Sequence, residues 1–153
     1  MQDYRKLRVW QEAHTLAVQT YGVTAYFSAP GAWPLRGQLL RAAISVPSNI
    51  AEGAGRGSDP DFRRFLLHSL GSANEVEYDL LLARDVGFLP DGDHSRLVAQ
   101  VVIVRRMLSA LIQSLAPETD SNSASGELRM VAGGKREAGS RKRAPSDSGG
   151  PNL

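Results

Sequence analysis

Residues 35–54 carry an apolar stripe that runs through a proline. Leu35, Leu39, Ala42, Ala43, Val46, Ile50 and Ala54 recur mostly at steps of three and four, the spacing of one buried helical face. Pro47 lies inside that stripe. Proline in a helix interior removes one backbone hydrogen bond and collides with the carbonyl four residues back, here that of Ala43, at a cost of ~3 kcal/mol or more. Because the stripe continues on both sides, the segment reads as one kinked helix held by its neighbours. Asn49 and Glu52 are expected to stabilise the bend. Gly53, Gly55 and Gly57 are expected to end it, since glycine takes the left-handed C-cap conformation without steric cost.

Three further stretches show helical spacing. From about Leu7 to Phe27 the stripe is Leu7, Trp10, Ala13, Ala17, Tyr21 and Thr24 or Ala25. Two prolines and a glycine in Ser28–Pro34 stop it, and Pro34 suits the next helix's first turn. A third helix is expected to start with Asp59 as N-cap, Pro60 at its first position and Asp61 near the positive end of its dipole. Its stripe is Phe62, Phe65 or Leu66, Ser69 or Leu70, Ala73, Val76, Leu80 and Ala83. The fourth begins near Asp93 or Ser95, and Leu97, Val101, Val104, Leu108, Leu111 and Leu115 alternate steps of four and three, a heptad seam. Val98, Val102, Ile103 and Ile112 widen it, which suggests a second buried surface and hence a subunit contact.

No alternating strand pattern occurs in residues 1–116. Four amphipathic helices with short links imply an all-α, up-down-up-down antiparallel bundle over residues 1–116. From Pro117 onward Ser, Gly, Glu, Lys and Arg dominate without periodicity, so residues 117–153 are expected to be a disordered polar tail. The chain has no cysteine, which excludes disulfides and thiolate metal sites, and fits a cytoplasmic protein. The charged N-terminus lacks a signal peptide's apolar core, and no unbroken apolar run approaches the ~20 residues of a membrane span.

The sequence resembles the four-helix-bundle family named for the 23S rRNA intervening sequences that encode some of its members. The likeness lies in Leu7-Arg-Val-Trp-Gln-Glu-Ala-His14, in Gln38–Gly53 with its Ser-x-Pro-Ser-Asn-Ile-Ala-Glu-Gly core, in Arg56–Leu66 and in Leu70-Gly-Ser-Ala-Asn-Glu-Val-Glu77. The resemblance implies a ring, typically a homopentamer. It also implies similarity to the accessory proteins of diversity-generating retroelements, which work with a reverse transcriptase and contact nucleic acid. It implies no enzymatic activity. The first loop, Ala29–Leu35, lacks the acidic residues common before the second helix of the family, and the tail lies outside the family core.

Net charge is only +2, with 12 basic and 11 acidic residues in 1–116, so any nucleic-acid site must come from charge placement or assembly. The candidate cations are Arg5, Lys6, Arg8, Arg36, Arg63, Arg64, Arg105 and Arg106. Singly they are solvated surface; repeated around a ring, two or three per subunit make a basic rim for RNA or DNA phosphates. A second set, Arg41, Pro47, Asn49, Glu52, Gly53 and Arg56, reads as structural in preference to the alternative, a polar groove of Arg41, Asn49, Glu52 and Arg56 for a ligand or nucleic-acid backbone, with Glu52 and Arg56 spaced for an ion pair. The tail cluster Lys135–Arg143 is nearly cancelled by tail carboxylates.

His14, His68 and His94 lack metal-ligand spacing, and neither Glu-x-x-His pair of a di-iron bundle occurs. Glu75, Glu77 and Asp79 spread around their helix rather than converge. Gly53–Gly57 follows a helix, not a strand, and no Gly-x-Ser-x-Gly elbow exists, so neither a phosphate loop nor a hydrolase site is read. The expected function is a non-enzymatic, cofactor-free oligomeric binding module for RNA or DNA. The rival is a protein scaffold for a polymerase-type partner.

Overall fold

The computed structural model describes residues 2–117; the expected tail, including Lys135–Arg143, lies outside the described residues apart from Pro117. Four helices run in order: α1 Arg8–Thr24, α2 Trp33–Ala54, α3 Asp59–Asp85 and α4 Asp91–Ser114, with single 3-10 turns at Tyr4–Lys6 and Pro30–Ala32. No strand occurs among the described residues.

The side-chain pairs fix the directions. Gln38 meets Asp79, Ser45 meets Ser72, Val46 meets Ser69, and Gly53 lies under Phe62 and Phe65. Residue numbers rise along α2 as they fall along α3, so the two are antiparallel. Arg63 with Ile112 and Glu77 with Arg105 show the same for α3 and α4. Gln100 of α4 reaches the Glu12 carbonyl and carboxylate of α1 at 3.0 and 2.8 Å, closing the bundle.

α2 stays one helix through Pro47, which is itself buried. The α2 and α3 stripes fill the core nearly as read: Leu39, Ala42, Ala43, Val46, Ile50 and Ala54 face Leu66, Ser69, Ala73, Val76, Leu80 and Ala83. In α1 the register differs. Val9, Ala13, Leu16, Thr20, Val23 and Phe27 form the central stripe, whereas Tyr21 is 51% exposed and Trp10 only half-buried. Spacing alone does not separate these parallel rows, and the larger aromatics mark the outer one. Thr20 and Thr24 enter the core because their hydroxyls donate to the Leu16 and Thr20 carbonyls at 2.8 and 2.9 Å. In α4, Ile112 is buried while Leu111 and Leu115 pack at the margin.

The helix ends also correct the sequence reading. Ser58, not Asp59, is the α3 N-cap, and its hydroxyl accepts from the Asp61 amide at 3.4 Å and donates to the Asp61 carboxylate at 3.1 Å. α4 starts earlier, at Asp91, with Asp91 and Asp93 in the first turn. Gly57 takes a positive φ of 79°, but Gly55 stays right-handed and Gly53 lies inside α2. Gly87, at φ 82°, turns the chain between α3 and α4 so that Phe88 and Leu89 both donate to the Ala83 carbonyl.

α4 carries a window of mean hydropathy 1.4, enough by length and composition to cross a bilayer, which the count of unbroken apolar residues did not reveal. Leu97, Val101, Val104 and Leu108 of that helix are fully enclosed by the bundle, and Arg105 and Arg106 would fall in hydrocarbon. The excess hydropathy comes from half-buried Val98 and Val102 and exposed Ile103 on its outer sides.

Gly53 carries a clear expectation. A Cβ there would stand 2.7 Å from the Phe65 Cβ and 2.9 Å from the Phe62 ring. The first atom is fixed to backbone and cannot yield. Gly53→Ala is expected to cost about 1–3 kcal/mol by overpacking. Thermal unfolding would then show a drop of about 4–8 °C for each kcal/mol; an unchanged melting temperature would contradict the close approach.

Candidate interaction surfaces

The polar set read around Pro47 divides in two. Asn49 turns toward α3, and its amide donates to the Ser45 carbonyl at 2.8 Å and to the Ser45 hydroxyl at 3.0 Å. Ser45 meets the Ser72 hydroxyl at 2.9 Å, and Ser72 reaches the His68 carbonyl at 3.1 Å. This chain of bonds ties α2 to α3 at Ser45, just before the proline, and Asn49 reaches back across the proline to brace Ser45. The Ser69 hydroxyl adds a bond to the Val46 carbonyl at 2.8 Å. Glu52 does not join them: it pairs with Arg56 at 2.5 Å on the exposed side, so stabilising the proline segment falls to Asn49 and the serines. Arg41 is exposed and folds back over Gly37. The four polar residues Arg41, Asn49, Glu52 and Arg56 therefore form no common groove.

One buried carboxylate was not anticipated. Asp79 is fully enclosed and accepts from the Gln38 amide at 3.0 Å, but its Oδ2 has no partner. Burial, with a smaller contribution from the Glu75 charge, raises its pKa above 3.8, and the Gln38 bond opposes the shift.

The eight candidate cations are dispersed. Arg5, Lys6 and Arg8 are exposed at the end of the bundle where Gln2 meets Ala54, and none pairs with a carboxylate among the described residues. Arg5 also lies 5.5 Å over the Tyr4 ring. Arg64 is at the same end, paired with Asp61 at 3.2 Å, and it and Arg56 lie over the Phe65 ring at 5.2 and 4.9 Å. Arg63 is half-buried and donates to the Ile112 carbonyl at 3.3 Å, which ties it to the last turn of α4. Arg105 is paired with Glu77, and Arg106 is exposed beside it. Arg36 stands in the first turns of α2, at the opposite end.

Two surfaces escaped the sequence reading. Between α1 and α2 lies a groove of about 470 Å³ lined by Trp10, His14, Val18, Tyr21, Ile44 and Pro47 among others. Trp10 and His14 stack there at 5.1 Å, with the Tyr4 ring edge-on to Trp10 at 5.0 Å. Ile44 is 42% exposed and no charged side chain lines the groove. The signal was a second row on α1, Trp10, His14, Ala17 and Tyr21, merged with the core row when only spacing was counted. Between α3 and α4 lies a groove of about 520 Å³ containing Leu70, Asn74, Val102, Arg105, Arg106 and Ser109. No group of histidines and carboxylates suited to a metal ion occurs among the described residues.

The family model described as 23S rRNA-intervening sequence protein matches residues 5–110. A crystal structure of a protein of unknown function from the S23 ribosomal protein family, from Bacteroides thetaiotaomicron VPI-5482, has the same fold, with a TM-score of 0.64 at 23% identity. The match covers 68% of this chain and 97% of that one. No curated protein matches the sequence.

Asp79 sets a pH dependence. Its folded pKa lies above its unfolded value, so the native state holds the proton more tightly. Stability is therefore highest below the unfolded pKa and falls as pH rises through the folded pKa. Asp79→Asn is expected to raise the melting temperature at pH 7–8, with the gain shrinking toward pH 4; a gain independent of pH would rule out ionisation as its cause. Asn49→Ala is expected to lower stability by about 1 kcal/mol or more through lost bonds to Ser45. Nucleic-acid binding lost at an unchanged melting temperature would instead make Asn49 a ligand-contacting residue.

Proposed function

The chain belongs to the 23S rRNA-intervening sequence protein family, and from that premise we propose that it is a non-enzymatic, self-assembling scaffold that contacts RNA or DNA through basic residues at one end of each bundle. The observation that carries the reading is the placement of Arg5, Lys6 and Arg8. They are exposed, share one end and have no carboxylate partners among the described residues. Arg63 and Arg105 are left out of the rim because each bonds between α3 and α4, Arg63 to the Ile112 carbonyl and Arg105 to Glu77.

Assembly is supported by the uncharged groove between α1 and α2, which leaves Val18, Tyr21 and Ile44 facing water in a single copy. A ring, with five copies as the family resemblance suggests, repeats the three cations around its axis. Such a rim holds phosphates by charge alone, without reading bases. The reading places the protein in the cytoplasm, where RNA and its polymerases are at hand. A protein-scaffold role has its own support in the outer surface of α3, treated below.

A mobility-shift titration with a single-stranded RNA tests the nucleic-acid reading. Binding is expected at low salt, with log affinity falling against log salt at a slope of about −0.7 for each phosphate neutralised. Combined Arg5→Glu, Lys6→Glu and Arg8→Glu is expected to abolish the shift while leaving the melting temperature unchanged. No binding by the parent protein at low salt would overturn the proposal.

A further inference from the structure

The outer side of α3 carries a second heptad-like row, of which only Leu70 packs against the core. Leu67, Leu70, Asn74, Tyr78 and Leu81 follow one another at steps of three, four, four and three. Leu67 is 44% exposed, Tyr78 59% and Leu81 39%, while Leu70 and Val102 floor the groove between α3 and α4. The row spans fifteen residues, about 21 Å of helix between its first and last. A row of this spacing is the half-seam into which another helix sets its own knobs.

The charges beside the row define the partner. Arg105 is neutralised by Glu77. Arg106 is exposed and has no carboxylate partner among the described residues, and no carboxylate lines the groove. One free cation is too few for a nucleic-acid backbone, whose affinity comes from neutralising many phosphates. It suits one or two carboxylates on the flank of an apolar helix. A second copy of this chain fits less well. Its own α3 row brings a like charge, and its α1–α2 groove offers no carboxylate among its lining residues.

The geometry points to a docking site between α3 and α4 for an acidic amphipathic helix of a partner protein. The helix sets its apolar row against Leu67, Leu70, Tyr78 and Leu81 and places a carboxylate at Arg106. The site lies apart from Arg5, Lys6 and Arg8 at the bundle end and from the groove between α1 and α2.

Fluorescence anisotropy with the whole chain tests it. The probe is a labelled three-heptad peptide with leucine at the two seam positions and glutamate on both flanks. A twin with lysine flanks, and an oligouridylate RNA as competitor, serve as controls. The glutamate peptide is expected to bind, and the lysine twin to bind at least about tenfold more weakly. Arg106→Glu is expected to reverse that preference, and Tyr78→Glu to abolish binding, whereas Ile44→Glu in the opposite groove leaves it intact. Circular dichroism of these variants is expected to match the parent, since all three sites are exposed. Equal binding of both peptides, displacement by the RNA, loss on Ile44→Glu instead of Tyr78→Glu, or no binding by about 1 mM peptide would each overturn the inference.

Discussion

The close approach of α2 and α3 is the contact on which the rest of the bundle depends. Small residues line it from end to end: Ala42, Ser45, Gly53, Ser69, Ser72 and Ala73. Gly53 lets the Phe62 and Phe65 side chains pack directly on the α2 backbone. Between these points three polar bonds cross or brace the seam, from Gln38 to Asp79, Ser45 to Ser72, and Ser69 to the Val46 carbonyl. Pro47 sits in the middle of this seam. Its lost backbone bond is offset by tertiary contacts that flank it, which is the compensation an interior proline requires.

The core row of α1, Val9, Leu16 and Val23, packs inside with the α2 and α3 rows, and a second row of large side chains on α1 and on the far side of α3 faces outward. Trp10, Tyr21 and Ile44 collect in the α1–α2 groove, and Leu67, Tyr78 and Leu81 line the opposite side of the bundle. Two apolar surfaces thus stay uncovered in a single copy, a feature that on soluble proteins marks contact sites. The cations obey the same logic: those facing neighbouring helices are spent on Glu77 and the Ile112 carbonyl, and those at the chain's start stay free.

Much of the fold was legible because helical spacing is a strong signal when one stripe is buried. The α2, α3 and α4 rows were read almost residue for residue, and the Ser-x-Pro-Ser-Asn-Ile-Ala-Glu-Gly stretch identified the family. The misreadings share a cause. Tyr21 and Trp10 fall near the core row of α1 by spacing, and only packing decides which of two adjacent rows turns inward. Gly53 looked like a cap because glycine ends helices often, but its role is close approach, which depends on Phe62 and Phe65 in another helix. Asp79 looked like one of three dispersed acids; its burial follows from facing Gln38 across the seam. The candidate cations were legible as a list and not as an arrangement, since Arg63 is held by the Ile112 carbonyl and Arg105 by Glu77.

The central claim is that the uncharged groove between α1 and α2 is covered in solution by self-assembly. Sedimentation velocity over a range of concentrations tests it most directly. The account predicts a discrete species several times the 16.5 kDa chain mass. A species that stays at 16.5 kDa at every concentration would contradict it.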